Sequence, residues 1–305
     1  MSTTATKTLP AFKSEESKAR FMAAYDACLQ AWPVPFEQID VATRLGTTHV
    51  IACGSADAPP LVLLPSFAGT AAVWRLNAEG LSRHFRLYAV DVIGQPGKSE
   101  AKGPIRSRRA YADWMVDLLD GLGVARASIV GCSFGGFLAL NQALATPDRV
   151  DRVVLISPAG TFASQYWKLT YATRIRAPAL KLWRRLAGKA RPPSLADLGP
   201  RRLPRDMTWA ALIGVTMAEA PRVSVTNASV FSGAQLRAIR ALALLLIGDK
   251  EPLYDPEAML RLARARMPGL EGAIVPDADH IAAMAQPDDV NARIVRFLTA
   301  GSGGA

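Results

Sequence analysis

The 305-residue chain contains only three cysteines, Cys28, Cys53 and Cys132. They are odd in number and far apart, which excludes a disulfide framework and a C-x-x-C metal pair. Cys132 reads as a small buried residue. Histidine is equally scarce, since His49, His84 and His280 are the whole supply. Any chemistry that needs an imidazole must draw on one of these three. No apolar run approaches the roughly 20 residues of a membrane-spanning helix, and residues 1–18 lack the apolar core of a signal peptide. These absences predict a soluble cytoplasmic protein without stable membrane insertion. The net charge is +10, but no zinc-finger, helix-turn-helix or RNA-binding signature accompanies it, so nucleic acid is not an expected partner. No P-loop, dinucleotide fingerprint or metal-ligand cluster appears, so neither a cofactor nor a metal is implied. Oligomeric state leaves no signature.

Half of the residues are apolar, enough for a large core. Ser14 followed by Glu15 and Glu16 reads as a capped helix start, and Pro33 and Pro35 end that helix. Residues 39–53 alternate as a hairpin around Gly46. Residues 61–64 are wholly apolar, as in a parallel strand covered on both faces. Strands at 85–90, 127–131, 150–156, 242–247 and 272–275 alternate with helices at 72–81, 108–122, 137–144, 256–266 and 288–298. This rhythm predicts a doubly wound, mostly parallel, eight-stranded sheet. Residues 160–237 break it with aromatics, arginines and prolines, and read as an inserted helical cap. The expected organisation is a tail and helix over 1–37, a core over 38–159 and 238–300, the cap between its halves, and a flexible tail over 301–305.

The organising stretch is Gly131-Cys132-Ser133-Phe134-Gly135, lying between a predicted strand and a predicted helix. That is the context of a nucleophile elbow. The chain must reverse within about one residue, so Ser133 is expected in strained geometry with glycines two residues either side. The turn would raise the Ser133 hydroxyl above the sheet and aim the Phe134 amide at a developing oxyanion. Serine needs a base, and the base needs an orienting acid. His280 follows the last strand and lies on the sheet edge where ligands of open α/β sheets collect, the same edge as Ser133. His49 in the hairpin and His84 at the opposite end are structural or surface residues. Three carboxylates follow the penultimate strand. Asp249 is very near the strand end, Asp255 reads as a cap before Pro256, and Glu251 at the turn apex is the favoured acid.

Four motifs now stand in order: Asp91-Val-Ile-Gly94 with Ser99, the elbow, Gly248-Asp-Lys-Glu251-Pro-Leu-Tyr-Asp255, and His280 followed by Gln286-Pro287. Together they resemble the α/β-hydrolase superfamily, and within it the capped bacterial carboxylesterases of the naproxen-esterase type. The resemblance implies an α/β-hydrolase fold and a serine carboxylesterase with catalytic Ser133, Glu251 and His280. It places the acid three residues after the strand-ending glycine, at Glu251, and the second oxyanion-hole amide at Phe67, beside that of Phe134. One departure stands out: the family's His-Gly after the third strand is Pro65-Ser66 here.

Phe67 would also wall the acyl pocket, and Trp167, Trp209 and Met217 of the cap are candidate substrate contacts. Residues 168–205 carry eleven Lys or Arg against the single acid Asp197, which reads as a solvated helix face or, alternatively, as a surface that attracts an anionic substrate or membrane. The expected partner is a small to medium apolar ester. Thioester, lactone or C–C cleavage, acyl transfer, or ligand binding without catalysis are the alternative readings.

Overall fold

A computed structural model of the chain describes residues 12–163, 207–219 and 226–300. Among these, nine strands join in one sheet: β1 (Phe36–Thr43), β2 (Gly46–Cys53), β3 (Pro60–Leu64), β4 (Arg86–Val90), β5 (Glu100–Ala101), β6 (Ala127–Cys132), β7 (Val150–Ile156), β8 (Leu242–Gly248) and β9 (Glu271–Val275). Eight follow the order β1-β2-β4-β3-β6-β7-β8-β9, and the two-residue β5 pairs with β2 off that path. β1 and β2 are antiparallel, as are β2 and β4; every pairing from β4 to β9 is parallel. The sequence predicts the eight. β5 has too few residues to carry a periodicity, and it forms because Gly46, at φ 139°, lets the chain pass against Glu100 where a side chain would collide.

The helices are α1 (Glu15–Gln30), α2 (Arg75–Ser82), α3 (Arg108–Gly121), α4 (Phe134–Ala145), α5 (Met207–Glu219), α6 (Gly233–Arg237), α7 (Pro256–Arg266), α8 (Ala282–Ala285) and α9 (Pro287–Thr299). The helix expected over 72–81 is two pieces, a 3-10 turn at Ala71–Trp74 and then α2. Ser14 caps α1 as expected, its hydroxyl accepting from Ser17 N–H. The described parts of the interval 160–237 carry α5 and α6 and no strand.

Both faces of the sheet are buried, which explains the unbroken apolar runs. Leu61 and Leu63 point into one core with Phe21, Tyr25, Leu81, Ile294 and Phe297. Val62 and Leu64 point into the other with Trp114, Phe137, Leu138 and Met259. So α1, α2 and α9 cover one face and α3, α4 and α7 the other. Each such fully buried Leu contributes about 1.5–3 kcal/mol relative to exposure. Leu212 of α5 is buried in the first core, against α1. Glu219 at the end of α5 accepts from Ser17 Oγ at 2.7 Å and pairs with Arg20 at 3.0 Å, so α1 grips α5 by packing and by charge. Those neighbours hold the Glu219 carboxyl below its ordinary range, the Ser17 hydrogen bond first among them.

A buried amide pair ties the closing helices down. Asn77 Nδ2 of α2 donates to Ala283 O of α8 at 3.0 Å and to Asn291 Oδ1 of α9 at 2.9 Å. Removing it strands the buried Asn291 oxygen. Asn77→Ala is therefore expected to lower stability by about 1–3 kcal/mol. Urea unfolding measures this directly, and an unchanged midpoint would mean that the pair carries no stability.

Candidate active site

Ser133 leaves β6 and enters α4 in a single step, with φ 50° and ψ −108°. Such geometry in a non-glycine residue costs on the order of 1–3 kcal/mol and persists only where its surroundings enforce it. Here the Ser133 N–H donates to Ile156 O at 2.8 Å, and the Ser133 carbonyl accepts from Ala159 N–H at 3.0 Å. The flanking glycines are required by close approach. A Cβ on Gly131 would lie 2.2 Å from Gly135 O, and one on Gly135 would lie 2.3 Å from Leu64 O. Phe134 occupies the first position of α4, where a backbone N–H has no acceptor one turn back.

The parallel strands end at one edge, and the loops leaving them assemble the site. His280 follows β9. Its Nε2 lies 3.0 Å from Ser133 Oγ, and its Nδ1 lies 2.8 and 3.0 Å from the two carboxylate oxygens of Glu251, which follows β8. The Glu251 side chain is wholly buried and that of His280 is 18% exposed. Glu251 Oε1 also accepts from Leu253 N–H at 3.1 Å, so the carboxylate is aimed by its own turn. The other two candidate carboxylates point elsewhere. Asp249 accepts from Ala278 N–H, which holds the β8 and β9 loops together. Asp255 caps α7, accepting from Ala258 N–H at 2.6 Å. His49 is buried in the hairpin and paired with Asp40, and His84 is exposed.

Phe67 follows β3 and is 53% exposed, the most exposed aromatic among the described residues beside Ser133. Its ring packs edge-on to Phe134 at 6.3 Å. Trp167 lies outside the described residues, and so do the side chains of Trp209 and Met217, although α5 carries both positions.

A family model described as the alpha/beta hydrolase fold matches residues 59–287. The chain belongs to the α/β hydrolase family. This hydrolase is carboxylesterase-like along most of its length. It is 34% identical to carboxylesterase YbfK of Bacillus subtilis over 95% of this chain and 97% of that protein. It is 33% identical to the uncharacterized carboxylesterase nap of the same organism over 93% of this chain and 94% of that one. The crystal structure of naproxen esterase (carboxylesterase NP) from Bacillus subtilis superposes with a TM-score of 0.78 at 30% identity, over 94% of this chain and 99% of that one.

Residues 91–99, the first of the four motifs, join two loops of the hydrolase. Asp91 is fully buried, and its two oxygens accept from Ala71 N–H and Lys98 N–H, both at 2.7 Å. Burial raises its pKa and these two N–H donors oppose the rise. A Cβ on Gly97, at φ 156°, would lie 2.6 Å from the Asp91 carboxyl carbon, so glycine is what admits the carboxylate. The motif therefore joins the loop after β4 to the loop after β3. Sequence spacing could flag Asp91 and Gly97 together but not what they hold.

Cys132, next to Ser133, is 4% exposed. Burial, and then the charges of Glu251 and Asp279, push its thiol up to about 12. Thiolate is the reactive form, so little of the buried Cys132 is ionised or accessible near neutral pH. Iodoacetamide at pH 8 is expected to leave Cys132 unmodified in the folded protein and to modify it in guanidinium, read by peptide mass. Rapid native labelling would contradict this burial.

Proposed function

We propose that this hydrolase cleaves carboxylic esters of small to medium apolar substrates through an acyl-enzyme on Ser133. The observation that carries the reading is the hydrogen-bonded chain from Glu251 through His280 to Ser133, with its separations of 2.8 and 3.0 Å. His280 Nε2 takes the Ser133 proton as Oγ attacks the ester carbonyl. The carbonyl electrons move onto oxygen, and the N–H groups of Phe134 and Phe67 receive that oxyanion. Glu251 holds the Nδ1 proton and stabilises the imidazolium. Collapse breaks the bond to the alkoxy oxygen, which leaves as alcohol with the proton from His280. Water then attacks the acyl carbonyl, gives its proton to His280 and releases the acid, and Ser133 recovers its proton.

The carboxylesterase names of relatives spanning nearly the whole chain support ester hydrolysis as the reaction. We place residues 160–237 as a helical cap over the site, with Trp167, Trp209, Met217 and the exposed ring of Phe67 facing the substrate. A covered apolar site suits a compact ester better than a polymer.

Removing one oxyanion donor typically costs about 2.7–4 kcal/mol of transition-state stabilisation. Removing the acid's charge disrupts the imidazole's proton placement and costs roughly 10⁴ in kcat in comparable triads. On short-chain p-nitrophenyl esters, Ser133→Ala and His280→Ala are expected to abolish burst and turnover, and Glu251→Gln to lower kcat by about that factor. A fluorophosphonate probe should add one adduct mass to the wild type and none to Ser133→Ala. Ester turnover that survives in Ser133→Ala would defeat the reading.

A further inference from the structure

Asp249 is one of three carboxylates after β8, and the chain of contacts from Glu251 to Ser133 leaves it unused. Its place between the loops that carry Glu251 and His280 gives it a different role. β8 and β9 end side by side, with Gly248 opposite Val275. Glu251 lies three residues past Gly248, and His280 lies five past Val275. The acid and the base therefore belong to separate loops, and their 2.8 Å contact requires those loops to keep a fixed separation.

Residues 248–250 clasp Ala278 on both of its peptide groups. Asp249 N–H continues the ladder by donating to Val275 O at 3.0 Å, and Lys250 N–H donates to Ala278 O at 2.9 Å. A Cβ on Gly248 would lie 2.3 Å from that same Ala278 oxygen, so the base's loop lies directly on the end of β8. Ala278 is fully buried and follows Asp277, whose φ of 54° turns the chain out of the strand. The Ala278 N–H, past the end of the ladder, donates to Asp249 Oδ1 at 3.1 Å. Lys250 and Asp277 also pair across the two loops, but both side chains are more than half exposed and such pairs hold little. A buried N–H without an acceptor is unfavourable. Without the carboxylate, the peptide between Asp277 and Ala278 would turn toward water and carry His280, two residues on, away from Glu251.

We propose that Asp249 is a positioning residue for ester hydrolysis: through the Ala278 N–H its carboxylate sets the base's loop against the acid's loop, and so aligns His280 with Glu251. This rests on the function proposed above, in which those two residues are base and acid. The imidazolium that Glu251 stabilises exists only once the proton has left Ser133. The effect therefore belongs in kcat, with KM left alone.

The test uses the full chain with Asp249→Ala, which removes the acceptor, and Asp249→Asn, which keeps an acceptor oxygen and removes the charge. Steady-state kinetics on p-nitrophenyl butyrate are measured for each, and for Asp249→Ala in a Glu251→Gln background as well. Misaligning the acid should cost less than removing its charge, so kcat of Asp249→Ala should fall roughly 10–100-fold, against roughly 10⁴ for Glu251→Gln. KM should stay within about twofold, and Asp249→Asn should recover most of the loss. In the Glu251→Gln background, Asp249→Ala should cost no more than about twofold further, because the contact it aligns is already broken. Circular dichroism and thermal melting check that each variant is folded. Wild-type kcat in folded Asp249→Ala would overturn the proposal, as would a rise in KM alone or a loss that adds in full to that of Glu251→Gln. A loss in Asp249→Asn as large as that expected of Glu251→Gln would also overturn it, because the charge and not the hydrogen bond would then be what acts. Should Asp249→Ala not fold, Asp249→Ser replaces it, with its oxygen one bond nearer the backbone, and the same outcomes decide. Turnover that persists in Ser133→Ala is a separate failure, of the acyl-enzyme reading itself.

Discussion

Backbone strain at one residue governs the geometry of this site. Ser133 stands at a φ that serine ordinarily avoids, because a parallel strand must deliver the chain into a helix without a loop between them. The strain is sustained by neighbours that the sheet order supplies. β7 accepts the Ser133 N–H through Ile156 O, and β3 presents Leu64 O so near Gly135 that no side chain fits. Were β6 an edge strand, these contacts would be missing. Its place in the middle of the sheet, between β3 and β7, is what makes the turn affordable.

The same order brings a charge into the interior. Glu251 has a wholly buried side chain and two partners, the Leu253 N–H and His280. A buried carboxylate is tolerable where it is hydrogen-bonded and paired. Its charge spreads to its neighbours. Tyr254 titrates well above its ordinary range, chiefly through burial and then through Glu251, and Cys132 is raised for the same two reasons in the same order. Both therefore stay protonated and chemically quiet beside the serine. Of the described groups around Ser133, His280 is partly open to solvent and bonded to the hydroxyl.

The loops after β3 and β4 are held to each other by side-chain contacts. The loop that begins at Pro65 and Ser66 is anchored at Ala68 by Gln95 and at Ala71 by Asp91. Both anchors come from the motif at residues 91–99. Two adjoining parallel strands, β3 and β4, thus end in loops that hold each other, and the exposed ring of Phe67 is left standing over Phe134.

Much of this was legible in the chain itself, for physical reasons. Alternation of apolar runs with amphipathic stretches is a local property, so the strands, the helices and their order could be read directly, as could the glycines at 131 and 135 around Ser133. Scarcity helped too: with three histidines, placement after the last strand singled out His280. Other features had no local signal. Glu251, Asp249 and Asp255 lie within seven residues of one another in one turn, and only the approach of the β9 loop distinguishes the carboxylate that faces the imidazole from the one that stitches loops and the one that caps a helix. β5 is two residues long and exists only because β2 is there to pair with it. The bond from Ala68 to Gln95 joins residues 27 apart in the chain. Periodicity and turn chemistry act over a few residues, so sequence determined the elements and the nucleophile's turn. Partnerships between loops depend on which strands lie side by side, and only the folded sheet decided those.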